Sequence, residues 1–238
     1  MSTASLQVIR WGSERARSTP WRGDGRVAHL APAAGSGALS APFVRHCLTR
    51  LAAQGFTRVV TAALTPGEQP GFLSAGFEIE QHLHLLAHDL SGVPAARPPG
   101  GVQLRRGADD DLDAVVAADN EAFDPFWSMD PLGIEEALTA TPRSRYRVAV
   151  NGSVVGYAIT GRAGGRGYLQ RLAVAPAHQG RGTGRALVVD GLRWLRRWRA
   201  DQCLVNTQVG NDAAVALYTD LGFRAQPDGL SVLALTLP

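Results

Sequence analysis

A glycine-rich stretch at positions 179–185 holds the residues whose types and spacing best fit a chemical role. It reads Gln-Gly-Arg-Gly-Thr-Gly-Arg and lies between an apolar run at 168–176 and a helical pattern at 186–199. In a glycine-rich turn between a strand and a helix, backbone N–H groups approach a phosphate closely, and the helix N-terminus adds partial positive charge. The stretch therefore predicts an anion-binding loop.

The spacing of its three glycines excludes two common nucleotide-binding loops. A dinucleotide fingerprint needs Gly or Ala three residues after its second Gly, and the two positions that could satisfy this hold Arg185 and Leu187. The chain contains no Gly-Lys-Ser/Thr sequence, so the stretch is not a P-loop. The pattern that remains, Gln-x-x-Gly-x-Gly, resembles the pyrophosphate loop of the Gcn5-related N-acetyltransferases (GNAT).

Three linked features between residue 102 and the C-terminus carry this resemblance. The first is the run 169–176 leading into 178–186, the second is the helix and buried strand that follow, and the third is the segment 211–225. Each feature alone is common in α/β proteins. Their order and spacing together are typical of the GNAT family.

The resemblance implies how acetyl-CoA binds as a co-substrate. The strand with Leu172 and the strand with Val205 would separate, and pantetheine would hydrogen-bond the backbone groups between them. The N–H of Leu172 would polarise the thioester carbonyl. Because backbone N–H groups would hold the pyrophosphate, a side chain at Gly182 or Gly184 is expected to obstruct it. The residues that the resemblance assigns to acetyl-CoA are Leu172, Ala173, Val174, Gln179, Gly180, Arg181, Gly182, Thr183, Gly184, Arg185 and Asn211.

Tyr218 is the candidate catalytic residue. In the GNAT motif its hydroxyl would approach the thioester sulfur and protonate the leaving thiolate, a step typically worth ~10²–10⁴-fold. The alternative is an aromatic side chain packed on the core face beside Leu217 and Leu221. Asn211 has a similar double interpretation, because it is a good N-cap in any case and the family uses this position near the cofactor.

The acceptor side is less readable. Phe123, Phe126, Trp127 and Met129 lie on a predicted loop and are expected either to line an apolar acceptor pocket or to pack as a lid on the core. We assign Phe126, Trp127 and Gln170 to the substrate. Gln170 cannot act as a base, which favours a water relay for removing the proton of the amine.

Three carboxylates, Glu121, Asp124 and Asp130, lie in the segment that covers the acceptor in this family. Each is a candidate base, and each is alternatively a helix cap or a surface charge. No residue is assigned as the base from the sequence.

The composition sets limits on partners. The net charge is +3, and all 24 basic residues are arginines without a focused basic face, so no nucleic-acid partner is expected. No apolar run approaches ~18 residues, so no membrane association is expected and the protein is predicted to be cytoplasmic. The oligomeric state is not readable.

No metal site is expected either. Two alternate histidines on a strand share a face, but no acidic or cysteine cluster completes a site. Cys47 and Cys203 are predicted to be buried apolar-like thiols rather than a disulfide. The strand that ends near residue 90 is predicted to be amphipathic, with outward His82, His84 and His88 and inward Ile79, Leu83 and Leu85.

The Pro- and Gly-rich segment 91–101 predicts a break in the chain's organisation. We predict an N-terminal domain at 1–92, a linker at 93–101 and a catalytic GNAT domain at 102–238. The fold class is α/β (α+β), a mixed, largely antiparallel sheet flanked by helices, with a smaller degenerate GNAT-like N-terminal half. Predicted helices are 43–54, 69–75, 108–122, 131–140, 184–199 and 212–221; predicted strands are 57–63, 77–90, 102–105, 145–150, 154–160, 168–174, 203–209 and 230–237.

A weak internal repeat relates the two halves. Each has the order helix, strand, helix, Gly-Phe, strand, and counting back from Gly76-Phe77 and from Gly222-Phe223 places Phe72 where Tyr218 stands. The alternative is two similar αβ units that share a common architecture. Since the first half lacks the phosphate loop and the hydroxyl, one active site is expected.

The resulting function hypothesis is an acetyl-CoA-dependent N-acetyltransferase that acts on a small-molecule or peptide amine by direct attack. Cys203, in a predicted buried strand, is a poor candidate for a covalent intermediate. The alternatives are a catalytically silent CoA-binding regulatory module and a different nucleotide-binding α/β domain.

Overall fold

The computed structural model describes residues 6–22, 24–33 and 35–238. Its contacts divide the chain into two compact units. The first consists of residues up to 85 together with 206–211 and 226–238, and the second consists of 86–205 and 212–225. The chain therefore leaves the first unit and returns to it twice.

The first unit is a sheet of six strands with two helices among its described residues. Its elements are β1 (Gln7–Trp11), β2 (Glu14–Trp21), β3 (Asp24–Pro32), α1 (Ala41–Ala53), β4 (Arg58–Thr61), α2 (Pro70–Leu73), β5 (Glu78–His88) and β12 (Leu230–Thr236). The strand order is β1-β2-β3-β4-β12-β5. The pairing of β3 with β4 is parallel, as a crossover through α1 requires, and the other pairs are antiparallel.

The second unit places helices on both faces of its sheet. Its elements are β6 (Gln103–Arg106), α3 (Leu112–Ala122), α4 (Pro131–Thr139), β7 (Arg143–Asn151), β8 (Ser153–Ala163), β9 (Arg166–Val174), α5 (Thr183–Arg197), the first residues of β10 (Gln202–Gln208), α6 (Asp212–Asp220) and β11 (Arg224–Ala225). Strands β6 to β9 form an antiparallel meander, and β10 pairs with β9 in parallel. The short β11 pairs with Leu86 and Ala87 at the end of β5.

Alternation along β8 assigns the two faces. Tyr157 and Ile159 pack in the cluster that contains Val115 of α3 and Ile134 of α4. On the opposite face, Thr160 meets α5 so closely that a Cβ at Gly191 would lie 2.4 Å from its hydroxyl oxygen. The helix α5 is amphipathic, with buried residues recurring every three or four positions and exposed arginines in its last turn.

A β-bulge in β9 interrupts this alternation. The register with β8 passes from Ile159 opposite Arg171 to Thr160 opposite Leu169, which leaves Gln170 as the extra residue. As a result, Gln170 and Arg171 both face α3 and α4: the amide of Gln170 lies against Gly161, and Arg171 contacts Asp119 of α3. Strict alternation would have placed these two side chains on opposite faces.

The two units repeat one arrangement. Each contains a parallel strand pair connected by a helix, and a short helix follows. Two or three residues after the end of that short helix lies a glycine with positive φ, 100° at Gly76 and 95° at Gly222. Phe72 packs against Phe77 at 5.3 Å, and Tyr218 packs against Phe223 at 5.5 Å. The structure therefore supports the internal repeat predicted from the Gly-Phe pairs.

The predicted helices and strands are all present, with ends shifted by a few residues. The sequence patterns did not identify β1, β2 and β3, which precede the first predicted helix. The contacts also group β12 with the first unit because it pairs with β4 and β5. The linear boundary predicted at 102–238 stays a prediction.

The predicted faces of β5 were wrong at both ends. Ile79 is 43% exposed and His88 is 2% exposed, the reverse of the expectation. Near Ile79 the register with β12 skips Glu80, and this irregularity shifts the alternation of the strand. At the other end, His88 is buried because both ring nitrogens find backbone partners.

Within the described ranges, no helix is both long and apolar enough to cross a membrane.

His88 is expected to make stability depend on pH. Its Nδ1 accepts the N–H of Leu90 at 2.8 Å, and its Nε2 lies 3.0 Å from the carbonyl of Leu221, which requires the neutral ring with the proton on Nε2. Burial lowers the pKa of His88 below its usual value. Since the unfolded state then binds this proton more readily, the free energy of unfolding should be constant above the unfolded pKa of ~6.5 and fall as the pH drops below it.

The measurement is urea unfolding of the wild type and of His88→Gln at pH 7.5 and pH 5.5. We expect the substitution to lower the free energy of unfolding by about 1–3 kcal/mol at the higher pH, where a buried hydrogen bond is lost. The difference in this free energy between pH 7.5 and pH 5.5 should be smaller in the variant than in the wild type. His29, whose pKa burial lowers to about 4, acts in the same direction and is present in both proteins. The same difference between the two pH values in the variant and the wild type would contradict the role of His88 in the pH dependence of stability.

Candidate functional site

The glycine-rich loop has the backbone conformation of an anion cradle. Gly180 and Gly182 have φ values of 68° and 92°, in the region that other L-residues rarely adopt. A Cβ at either glycine would meet nothing within 4 Å, so this side of the loop is open. The amide Nε2 of Gln179 donates to the carbonyl of Val174 at 2.8 Å and ties the start of the loop to β9.

The N-terminus of α5 supplies unpaired donors. Gly182 is the N-cap residue, and its carbonyl accepts the N–H of Ala186 at 3.0 Å. The N–H groups of Thr183, Gly184 and Arg185 therefore precede the first intrahelical donor and have no acceptor within the helix. Together with the helix dipole they form a site for an anion such as a pyrophosphate.

The surroundings of three residues predicted for this loop bear on their roles. The guanidinium of Arg185 forms an ion pair with Asp220 of α6. The predicted role of Arg185 in pyrophosphate binding therefore rests on its backbone N–H group. A Cβ at Gly184 would lie 3.5 Å from Leu217 in ordinary contact, which gives no steric reason for glycine there. The side chain of Thr183 is buried and its hydroxyl has no hydrogen-bond partner among the described residues.

The edge of β9 opens beyond its pairing with β10. Their register runs only from Arg166 opposite Gln202 to Tyr168 opposite Leu204, whereas β9 continues to Val174. The N–H of Ala175 donates to Val155 of β8 at 2.9 Å. Since N–H directions alternate along a strand, those of Leu172 and Val174 point away from β8. This is the orientation that the predicted role of Leu172 requires.

Tyr218 is packed in the core, as one of its two sequence interpretations expects, and its catalytic role stays a prediction. It is 5% exposed and belongs to the core cluster between the sheet and α5. Burial raises the pKa of its hydroxyl well above the usual range. Burial also raises the pKa of the Cys203 thiol to about 12, which opposes a covalent role for that residue.

Asn211 directly precedes α6, and the contacts group it with the first unit. Its N–H donates to the carbonyl of Gln208 at 3.1 Å, and its side-chain amide lies 3.4 Å from the amide oxygen of Gln208. Its predicted role toward acetyl-CoA stays a prediction.

A buried ionic network that the sequence patterns did not identify lies on the α3 side of β9. Asp119 is fully buried, and its carboxylate accepts from Nε and Nη2 of Arg171 at 2.7 Å each. The hydroxyl of Tyr157 donates to it at 2.6 Å and the N–H of Met129 at 2.8 Å. Four donors thus share one carboxylate, which satisfies it and leaves it unsuited to act as a base.

The same network reaches the loop between α3 and α4. Nη2 of Arg171 also donates to the carbonyl of Trp127 at 2.7 Å, and the guanidinium lies 3.7 Å from the centre of the Phe123 ring. Phe126 and Trp127 pack edge to face at 5.1 Å, and both are half-buried. The predicted substrate residues of this loop are therefore attached to β9.

The candidate bases have other positions or partners. Asp130 caps α4, since its Oδ1 accepts the N–H of Gly133 at 2.9 Å. Glu121 and Asp124 are exposed. Gln170 lies on the face of the sheet toward α3 and α4, and its buried amide oxygen has no hydrogen-bond partner among the described residues. Within that same part of the chain, no group of His, Cys, Asp or Glu side chains is arranged to hold a metal ion.

The corresponding helix of the first unit carries its own anion. The carboxylate of Glu14 accepts the N–H of Ser40 at 2.6 Å and its hydroxyl at 2.7 Å, and Ser40 is the N-cap of α1. Leu39, just before it, is buried and its backbone lies against Gly71 of α2. A carboxylate from the chain itself thus bonds the N-cap residue of α1.

The buried network should make a large and uneven contribution to stability. Asp119→Asn removes the charge that compensates Arg171, and breaking a buried pair typically costs ~3–5 kcal/mol. Tyr157→Phe removes one of four donors and should cost about 1–2 kcal/mol. Urea unfolding of both variants checks this order, and equal losses would contradict the central role of the carboxylate.

The sequence has relatives of known family. Residues 112–223 match the sequence model of the acetyltransferase (GNAT) family. The mycothiol acetyltransferase of Amycolatopsis mediterranei is 33% identical over 194 residues, which cover 74% of this chain and 64% of that protein. That of Saccharomonospora viridis is 34% identical over 150 residues, which cover 55% of this chain and 48% of that protein. The chain thus spans about half to two thirds of the length of these curated relatives.

Two solved structures share the fold along nearly the whole chain. One is a tandem GNAT protein from the clavulanic acid biosynthesis pathway, with a TM-score of 0.70, 16% identity and coverage of 98% of this chain and 83% of that chain. The other is a GCN5-related N-acetyltransferase from Kribbella flavida, with a TM-score of 0.66, 15% identity and coverage of 97% and 89%. By the family match and the curated relatives, residues 112–223 of this chain form a domain of the Gcn5-related N-acetyltransferase superfamily.

Proposed function

We propose that this protein is an acetyl-CoA-dependent N-acetyltransferase that transfers an acetyl group to a primary amine by direct attack in a ternary complex. The observation that carries the proposal is the open glycine loop at the N-terminus of α5, whose first N–H groups have no acceptor within the helix, in the same unit as Tyr218. A reaction that uses acetyl-CoA is expected in the cytoplasm.

The residues present fit acetyl-CoA. The loop offers donors for two adjacent phosphates, and the positive φ of Gly180 and Gly182 keeps the backbone accessible. When bound, acetyl-CoA supplies a thioester whose acetyl group is transferred to the amine. The N–H of Leu172 would hold the carbonyl oxygen as negative charge develops on it, and Tyr218 would give its proton to the leaving sulfur.

We propose a small-molecule amine with an apolar portion as the acceptor, and a peptide amine as the alternative. The aromatic pair Phe126 and Trp127 offers an apolar wall of the kind that lines ligand pockets. Two relatives are named as mycothiol acetyltransferases, which supports a small acceptor. An α-amino group (pKa ~7.7–8.0) loses its proton more easily than a lysine (~10.4), so a water relay suffices for it.

A catalytically silent CoA-binding module is the second candidate. The burial of Tyr218 in a hydrophobic cluster favours it, because a packing role alone would explain this side chain. In that case acetyl-CoA would bind without acetyl transfer.

The test is an amine screen with mass detection. The protein is incubated with acetyl-CoA and with phenethylamine, alanine amide, lysine or a peptide with a free N-terminus, and thiol release is measured with the acetylated product. Turnover with an amine supports the transferase. Saturable acetyl-CoA binding without turnover on this panel supports the silent module, and a thermal shift with NAD or ATP but none with acetyl-CoA contradicts both.

Tyr218→Phe separates catalysis from packing. The substitution keeps the ring against Phe223 and removes the proton donor, so we expect kcat to fall by ~10²-fold or more while the Kd of acetyl-CoA changes less than about threefold, under 1 kcal/mol. Calorimetry and steady-state rates check the two quantities. Unchanged turnover would assign Tyr218 to packing.

Gly182→Ala tests the anion loop. The φ of 92° strains an alanine, and the changed backbone should weaken acetyl-CoA binding by at least ~10-fold, about 1.4 kcal/mol. Gly164→Ala is the matched control, since Gly164 has a φ of 57° and an open Cβ position in the turn between β8 and β9. Both variants should lose similar stability in urea. Equal affinity in the two variants would argue against a pyrophosphate site at the loop.

A further inference from the structure

One arginine joins the loop between α3 and α4 to β9, the strand that carries the N–H of Leu172 proposed to bind the thioester carbonyl. Resting on the proposed function, we propose that Arg171 is a positioning residue for the acceptor amine. It holds Trp127 and Phe123 at a set distance from the backbone of Leu172. The groups on either side of the reacting atoms would then share one rigid support.

The donors of Arg171 are directed to two separate parts of the chain. Nε and one Nη2 bond reach Asp119 on α3, and a second Nη2 bond reaches the carbonyl of Trp127. The guanidinium also stacks on Phe123 at the end of α3, an arrangement typical of cation–π contacts. Because a guanidinium is planar and rigid, these contacts fix the loop in orientation as well as in distance.

The bulge in β9 brings this support next to the proposed chemistry. Arg171 faces the loop, while the N–H of the following residue, Leu172, points away from β8. A shift of the loop is therefore a shift relative to the neighbouring backbone donor. The link therefore fixes where the loop holds a bound amine relative to that donor.

The loop presents an apolar surface to whatever it covers. Phe126 and Trp127 are half-buried and packed edge to face. The positive charge of Arg171 is paired with Asp119 within the chain. The predicted effect of the support is therefore on binding of an amine with an apolar substituent. An acceptor recognised through a negative charge would not depend on it in this way.

The test is the double variant D119N/R171M. It removes both buried charges together, which avoids an unpaired ion. The amide introduced by D119N keeps its oxygen toward the N–H of Met129 and turns its NH2 group toward the hydroxyl of Tyr157, which is able to accept, and the methionine introduced by R171M fills the volume of the arginine stem. What is lost is the guanidinium itself, with its bonds to Asp119 and to the carbonyl of Trp127 and its stacking on Phe123. The control is R145M/D190N, which removes the bidentate pair between β7 and α5 and also the ion pair of Asp190 with Arg147, so it disturbs the chain at least as much away from the loop.

Two measurements are made on the full-length variants. Hydrogen–deuterium exchange should become at least ~10-fold faster at 124–128 in D119N/R171M, the loss expected for a charge-assisted hydrogen bond. The KM for phenethylamine should rise ~10-fold, with kcat reduced less than threefold and the Kd of acetyl-CoA within about twofold. In the control, exchange at 124–128, the KM for phenethylamine and the Kd of acetyl-CoA should all stay at wild-type values.

The outcomes are separable from the proposed function. If no amine is acetylated by the wild type, the exchange measurement still decides whether Arg171 holds the loop. Wild-type exchange at 124–128 in a folded D119N/R171M overturns the proposal. Faster exchange with an unchanged KM for phenethylamine overturns its link to the acceptor, and equal effects in the control assign the result to general stability.

Discussion

The carboxylate of Asp119 is the constraint on which the second unit depends. It has no solvent exposure and accepts from Arg171, Tyr157 and Met129. Moving two charges out of water is costly, and their attraction offsets the cost only where geometry is good and the remaining groups are satisfied. Here both conditions hold, so α3, β8, β9 and the α3–α4 loop must occupy one arrangement. A shift of any of them would leave a buried donor or acceptor unpaired.

The two units differ in what lies at the N-terminus of the helix that connects their parallel strands. In the first, Glu14 neutralises the N-terminus of α1 and satisfies the N-cap Ser40. In the second, the N-terminus of α5 follows two glycines with positive φ, and a side chain at either would meet no neighbour. The helix dipole is present in both, so what differs is whether the chain supplies the negative charge itself.

Much of the fold and part of the site could be predicted from local patterns. The helices follow from apolar periodicity, and the anion loop follows from the spacing of Gly180 and Gly182, which needs only local geometry. The unpaired N–H groups at the start of α5 also follow from helix geometry alone. The roles of Tyr218 and Leu172 in catalysis are of a different kind, since they rest on the family resemblance and on the proposed function.

The sequence by itself determined the glycine loop, the helix that follows it and the repeated Gly-Phe arrangement, because each depends on residues within a few positions of one another. Only the tertiary structure decided which face Arg171 and His88 occupy. A single extra residue in β9 turns Arg171 toward Asp119, and His88 is buried because Leu221 lies within reach of its ring. Strand register and long-range hydrogen bonds depend on partners that are distant in the chain, and local alternation does not reveal them.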